Sequence, residues 1–401
     1  MVGYLVFLTI YVGLYSLFAL GLNLQWGYAG LINFGHVAFM TVGAYATVLL
    51  NSQGFPLILA IAVGIAIAAL LGLLIGMSTL KLREDYLAIV TIGTSELLRL
   101  IAQNDGLADL VKAANNLLLQ ISDGKFSLIE DVDNFQITRG SFGIQRFPLP
   151  FARFEPNLFQ KYLLIGILTL LAVFATWLLF QGLRSQWRES KAIKGKSYQP
   201  KKLTSLIVWA ILGVGIILAI YINGCIALLD YNYKAGLMLL VLITVAVVYW
   251  GLELLVKSPW GRVLKAIRED EEIARALGKN VFWYKLQAFM LGGAIAGLAG
   301  SFYVWQLTTI YPSNFETLIT FNVWTMVVLG GAGKNSGAIL GAIIFWAYDA
   351  LTRFYLPKLG WFSSSEEGAF RIMVIGLILM VLMIWRPEGI LGNKEELTLG
   401  K

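Results

Sequence analysis

The sequence predicts an all-α fold, a polytopic transmembrane helical bundle of about ten or eleven spans, some broken or short. Three observations lead there. Of 401 residues, 58% are apolar and only 14% charged, whereas soluble domains carry about a quarter charged residues. No Lys, Arg, Asp or Glu occurs from residue 1 to residue 80, although one bilayer-crossing helix takes only about 20 apolar residues. Apolar stretches then recur to the end of the chain, divided by Gly, Pro and charge. This composition excludes an ordinary soluble enzyme. The net charge of +7 belongs to loops and not to a nucleic-acid surface, because in a membrane protein basic residues report orientation.

In chain order the apolar segments are 4–24, 37–50, 56–80, 87–102 and 162–180, then 205–222, 236–256, 286–304, 318–332, 336–351 and 370–385. Several are shorter than the hydrocarbon core, which predicts broken, re-entrant or half-span helices. The first counts as a span and not a cleavable signal, since Met1-Val2-Gly3 provides no positive n-region and the apolar stretch outruns a signal's length. Residues 181–204 hold seven Lys/Arg against Glu189 alone, and 257–285 hold seven more. The positive-inside rule places both inside, with the N-terminus outside and the C-terminus inside. The polar stretch 103–161, with seven acidic and six basic residues, then falls outside as a solvated loop or a docking surface for an external partner. A single cysteine, Cys225, and a single histidine, His36, leave neither a disulfide framework nor a metal cluster.

Residues 258–278, SPWGRVLKAIREDEEIARALG, read as one cytoplasmic helix. Ser258 serves as N-cap, Pro259 takes the first helical position and Gly278 the left-handed exit. Val263, Ile267, Ala274 and Leu277 form its apolar stripe, and Arg262, Lys265, Arg268, Glu269, Glu272 and Arg275 occupy the other faces. Such a helix either docks on a protein partner or lies in the membrane interface.

Glu272-Ile273-Ala274 followed by Gly278 fits the Glu-Ala-Ala, three residues, Gly spacing of the cytoplasmic loop in ABC importer permeases, with Ile273 replacing the first Ala. The blocks GLNLQWGYAGLINFGHVAFMTVGAY (21–45), DYLAIVTIGTSELLRL (85–100), KLQAFMLGGAIAGLAGSFY (285–303), MVVLGGAGKNSGAILGA (326–342) and RPEGILG (386–392) agree. On these strings the chain resembles the M-type permease subunits of branched-chain amino acid ABC importers, from 21 to 392. The Thr138–Ile144 string resembles that family's Gly-rich outer segment, with Arg139 where small residues are common. The departures are in 103–136 and 182–234.

The resemblance implies a permease lining the path of branched-chain or other neutral amino acids. It implies as partners a homologous permease, two nucleotide-binding ATPase subunits and an external solute-binding protein, besides membrane lipid. It marks Arg268, Glu269, Glu272, Ala274, Arg275 and Gly278 as the coupling surface for an ATPase subunit. On this reading 1–102 holds the first four spans with a Gly-broken segment and 103–161 the external loop. Residues 162–256 hold the middle spans with the basic loop 181–204, 257–285 the coupling helix, and 286–401 the last spans and a short cytoplasmic tail.

Read by their chemistry, Asn23, Asn33 and His36 among Gly30, Gly35 and Gly43 suit either a solute path through broken helices or polar ties between helices. Glu96 is an ionisable group within a span and hence a path residue, or else a partner of Arg99 at i+3; Asp349 and Arg353 pair in the same way at i+4. Gly64, Ala68, Gly72 and Gly76, Gly293 and Gly297 with Ala296 and Gly300, and Gly337 and Gly341 form small-residue stripes for close helix packing. The run GGAGKNSG (330–337) has Val328 and Asn335 where a phosphate loop needs Gly and Ser or Thr, so it reads as a turn. No nucleophile with its base appears, no cofactor is implied, and the chain is expected not to be an enzyme. A urea or short-chain amide permease remains the nearest alternative. An ion-coupled secondary transporter would show inverted halves, and a membrane scaffold would use its polar groups purely as ties.

Overall fold

A computed structural model describes residues 2–104, 112–113, 116, 143–145, 147–152, 154–192, 200–360, 363–385 and 389–392. Most of the loop 103–161, the Thr138–Phe142 part of the Gly-rich outer string, residues 193–199 of the basic loop, Arg386-Pro387-Glu388 and the tail 393–401 lie outside the described residues.

The architecture is α-helical. Helix α1 (Val2–Leu22) runs into a π-helix (Asn23–Tyr28), followed by α2 (Val37–Ser52), α3 (Leu57–Thr79) and α4 (Glu84–Gln103). Next come α5 (Leu158–Ala192), α6 (Pro200–Leu229) and α7 (Tyr233–Lys257). The short α8 (Pro259–Glu269) and α9 (Glu271–Ala276) precede α10 (Val281–Leu307), α11 (Leu318–Gly330), α12 (Asn335–Leu359) and α13 (Ser364–Trp385). Among the described residues seven helices are long and apolar enough to cross a membrane, namely those over 2–28, 57–79, 158–182, 210–229, 233–257, 281–307 and 335–358. The segments predicted at 37–50, 87–102, 318–332 and 370–385 are realised as α2, α4, α11 and α13, of 16, 20, 13 and 22 residues.

The chain divides into two compact units. The first comprises 1–10 and 150–246. There Leu168, Leu228, Ala235 and Leu239 form the buried contact of α5, α6 and the start of α7, and Thr169 Oγ1 lies 3.1 Å from Tyr221 Oη. Parts of the basic stretch expected as loop are helical: α5 continues to Ala192 and α6 begins at Pro200, a first-turn site that proline's fixed φ suits.

The second unit comprises 11–149 and 247–401. Its core lies along α10, buried from Ala299 to Gln306 and packed against α2 and α3. The predicted small-residue stripes fall on these crossings. A Cβ on Gly297 would sit 2.5 Å from Ala68 Cβ, and one on Gly64 would sit 3.0 Å from the Gly43 carbonyl. Gly72 faces Met290, Gly76 faces Leu286, and Gly293 lies on the Phe39 ring. Helices α11 and α12 form a hairpin in which Gly330 and Met326 meet Gly337 and Gly341. In lipid, where apolar side chains gain nothing by leaving solvent, such backbone approach supplies the dispersion contacts that hold helices together. A two-residue antiparallel pairing, Ile144 with Ile310 and Gln145 with Thr309, ties residues 144–145 to the segment after α10.

The helix expected as continuous over 258–278 is two helices. Asp270 takes an extended conformation (φ −155°, ψ 109°) and its Oδ1 accepts hydrogen bonds from Glu272 N and Ile273 N at 2.9 and 3.0 Å. A short acidic side chain that caps the next turn competes with the helix it would otherwise continue. The resulting turn redistributes the stripe. Ile267 and Ala274 are buried with Val281, and Val263 and Tyr284 pack on them. Leu264 is fully buried, whereas Leu277, assigned to the apolar stripe, is 73% exposed.

Candidate functional site: a broken helix and its attached helix pair

Six residues, Asn-Leu-Gln-Trp-Gly-Tyr, end the first span as a π-helix, and 31–36 then run without helical hydrogen bonding before α2 begins. The chain leaves the π-helix at Gly30, whose φ of +72° is open to glycine and strained for other residues. Non-helical backbone at membrane depth must find donors and acceptors within the protein, and this segment does. Asn33 Nδ2 donates to Gln25 Oε1 at 2.8 Å, and Gln25 Nε2 donates to the Phe289 carbonyl of α10 at 2.8 Å. Asn33 Oδ1 accepts from Gly35 N at 2.9 Å, and its backbone carbonyl accepts from Trp324 Nε1 at 2.9 Å. Phe34 N donates to Thr91 Oγ1 and Val37 N to Thr320 Oγ1, at 3.2 and 3.0 Å.

A second chain of polar contacts starts at Asn23. Its Oδ1 accepts from Gly333 N at 2.9 Å and its Nδ2 donates to Asn335 Oδ1 at 3.3 Å. Asn335 Nδ2 in turn donates to Glu253 Oε1 at 3.2 Å, and Glu253 pairs with Lys257 at 2.9 Å. The Gly-rich turn 331–334 is thus clamped by Asn23, and the end of α11 before it receives Ile390 N and Leu391 N on the Leu329 and Gly330 carbonyls.

Asn23, Asn33 and His36 are all fully buried. His36 packs between the rings of Phe18 and Phe39, with centroids 4.7 and 5.8 Å away. Glu96 stands apart from these three. Arg99 holds it bidentately, with Nε at 3.0 and 3.1 Å and Nη2 at 2.5 Å, while 42% of the Glu96 side chain remains exposed. Asp349 pairs with Arg353 at 2.6 Å and also with Arg371 of α13 at 3.6 Å. Gln25, Thr91, Thr320, Trp324, Asn335 and Glu253 complete the site and were not singled out from the sequence as site residues. Gln25 carried a signal, being a polar side chain within two residues of Asn23 in an uncharged stretch.

Against this break lies the α8–α9 pair. Ser258 Oγ caps α8, accepting from Gly261 N at 3.5 Å and donating to the Leu255 carbonyl at 2.6 Å. Trp260 Nε1 reaches Gln287 Oε1 at 2.7 Å, and Glu271 bridges Lys285 and Arg275 at 2.5 and 2.8 Å. Of the six residues expected at an ATPase contact, Glu269, Glu272, Arg275 and Gly278 are exposed, and Ala274 is buried against α10. Arg268 points into the protein, where its guanidinium donates to the Gly27 carbonyl. Ile273 and Leu277, one helical turn apart, are 60% and 73% exposed and form an apolar ridge beside Glu272. Gly278 has the left-handed φ of +76° and closes α9, with Gly278 N on the Arg275 carbonyl and Lys279 N on that of Ala274.

A helical multi-pass membrane protein that interrupts its first span with a break held by side-chain hydrogen bonds, and fastens that break to a short amphipathic helix pair with an uncovered ridge, has the parts of a transport subunit. A sequence profile described as the branched-chain amino acid transport system permease component matches residues 4–181 and 157–383, and the chain belongs to that family. It is a multi-pass protein of the inner membrane.

Its relatives are transport permeases and not enzymes. The high-affinity branched-chain amino acid transport system permease protein LivM of Escherichia coli (strain K12) is 28% identical over 94% of this chain and 68% of its own length. The probable branched-chain amino acid transport permease protein LivM of Methanocaldococcus jannaschii is 25% identical over 98% of this chain and 94% of its own. LivH of Escherichia coli (strain K12), a permease protein of the same transport system, is 29% identical over 34% of this chain and 41% of its own. No solved structure is significantly similar to the chain.

Proposed function

We propose that this chain is one of two homologous permease subunits of an ATP-driven importer. Together they form the path for branched-chain or other neutral amino acids, with hydrolysis on two separate ATPase subunits and delivery by an external solute-binding protein. The observation that carries this reading is the uncovered ridge of Ile273 and Leu277 beside Glu272 and Arg275, held on a short capped helix. An apolar ridge with a charged rim is what a soluble partner's groove receives. The chain needs no cofactor or metal in this role and catalyses no reaction itself.

The orientation that fits places the α8–α9 pair and the C-terminus inside, and the N-terminus and 103–161 outside. Asn23, Asn33 and His36 border the solute path by holding the broken segment that forms its wall, and Glu96 faces it. Gly64, Gly72, Gly76, Gly293 and Gly297 keep the crossings among α2, α3 and α10 rigid beside that wall. Urea and short-chain amides are the alternative solutes, separated from amino acids by uptake competition.

The test is ATP hydrolysis by the reconstituted complex with and without loaded binding protein. Glu272→Arg reverses a rim charge and changes no backbone preference, so it should abolish the stimulation by substrate. A helix lying on anionic lipid would instead tolerate or welcome the added positive charge, and wild-type stimulation in Glu272→Arg would sink the coupling role.

A further inference from the structure

Helix α8 and the π-helix are far apart in sequence and are joined at two points. Arg268 donates from Nη1 to the carbonyl of Gly27. Lys265, one turn earlier on α8, holds its ammonium 5.6 Å from the ring centroid of Tyr28. Gly30, just beyond the π-helix, lies against the same Arg268, since a Cβ there would sit at ordinary contact distance, 3.5 Å from Arg268 Cγ and 3.6 Å from Arg268 Cα. The last turn of a helix leaves carbonyls without amide donors, so a cation at this end of the π-helix both completes a hydrogen bond and faces the negative end of the local dipole.

From Gly27 the contacts continue inward. Two residues earlier in the same π-helix, Gln25 holds the Phe289 carbonyl and accepts from Asn33.

We propose that Arg268 is a positioning residue that makes α8 and the π-helical end of the first span one mechanical body, so that displacement of α9 by an ATPase subunit moves the wall of the solute path directly. This deepens the coupling role proposed above and rests on it. Arg268 acts through Gly27 and not by touching the ATPase subunit, which distinguishes it from Glu272 and Arg275 on the exposed side. Lysine in its place keeps the charge and loses the planar fork that lets guanidinium reach a carbonyl while bonding elsewhere.

The experiment uses the complete reconstituted complex in a Cys225→Ser background, which removes the chain's only cysteine. Arg268→Ala should leave the ATPase subunits bound and basal hydrolysis unchanged. It should lower stimulation by loaded binding protein about ten-fold or more, the size of one lost hydrogen bond to a charged group. Cysteines replacing Tyr28 and Lys265, bridged by a short reducible bis-thiosulfonate, should restore stimulation to Arg268→Ala, and reduction should remove it again. The same bridge in a chain that keeps Arg268 should leave coupling intact.

Four results would overturn the proposal. They are loss of ATPase subunits from Arg268→Ala, wild-type stimulation in Arg268→Ala, failure of the bridge to rescue it, and loss of coupling on bridging the chain that keeps Arg268. Glu272→Arg, run in parallel, separates the two levels. If Glu272→Arg uncouples and Arg268→Ala does not, the positioning role alone fails; if Glu272→Arg stays coupled, the coupling role fails first.

Discussion

At the scale of the residue, Asn33 shows how much one amide holds. Its side chain accepts from Gly35 N and donates to Gln25, both buried, so Asn33→Leu strands a donor and an acceptor, each at about 1–3 kcal/mol. Uptake should fall while expression and subunit assembly stay near normal, measured by transport in vesicles beside co-purification of partners. Equal loss of both would make Asn33 a helix tie and nothing more. Gly278 makes a different demand. Its surroundings are open, with no atom within 4 Å of a Cβ built there, so only the φ of +76° opposes substitution. Gly278→Val should cost about 1–2 kcal/mol, tilt α9 and lose substrate-stimulated hydrolysis while the bundle still assembles. Gly278→Asn, which tolerates left-handed geometry, should retain most of it; equal loss in both variants would refute the backbone account.

At the scale of the element, the crossing of α3 with α10 is set by the absence of side chains. Gly297→Leu drives a branched chain into Ala68, an overpacking that costs typically 1–3 kcal/mol, occasionally more. The detergent-solubilised protein should melt several degrees lower. Gly93→Leu, on α4 where nothing lies within 4 Å of a Cβ, should melt as the wild type does or higher, since leucine is the better helix former. Equal melting of Gly297→Leu and wild type would show that the two helices move apart freely. The break between α8 and α9 is likewise an element-scale effect of one side chain. Asp270→Ala removes the cap on Glu272 N and Ile273 N, a loss of about 1 kcal/mol.

At the scale of the whole molecule, the orientation proposed above rests on the charge asymmetry and the positive-inside rule. Glu155 and Lys279 are both exposed and stand on opposite sides in that threading. In a Cys225→Ser chain, Glu155→Cys should react with a membrane-impermeant thiol reagent added outside, and Lys279→Cys only after the inner face is opened. The reverse pattern of labelling would invert the assignment.

The sequence by itself determined the class of fold, because a chain with no charge over its first 80 residues has no stable place outside a membrane. It also determined the cap at Ser258, the left-handed exit at Gly278 and the small-residue stripes, and it offered the Glu96–Arg99 pair as one of two readings, since caps, i+3 pairs and helix faces are local and follow from spacing. The partner of each stripe was decided only in three dimensions. Nothing near Gly297 in the chain names Ala68, and nothing near Asn23 names Gly333, 310 residues away. Asp270 reads as helix interior from the sequence, although a second cap is equally open to an acidic residue in that run, and the structure takes the cap. Burial of Ala274 against Val281 goes with the turn. Arg268 is the clearest case, because a basic residue on an amphipathic helix reads as solvent-facing until the fold supplies a bare carbonyl. That carbonyl lies in the last turn of the first span, where amide donors run out, and the position of that ending beside α8 is a property of the tertiary structure.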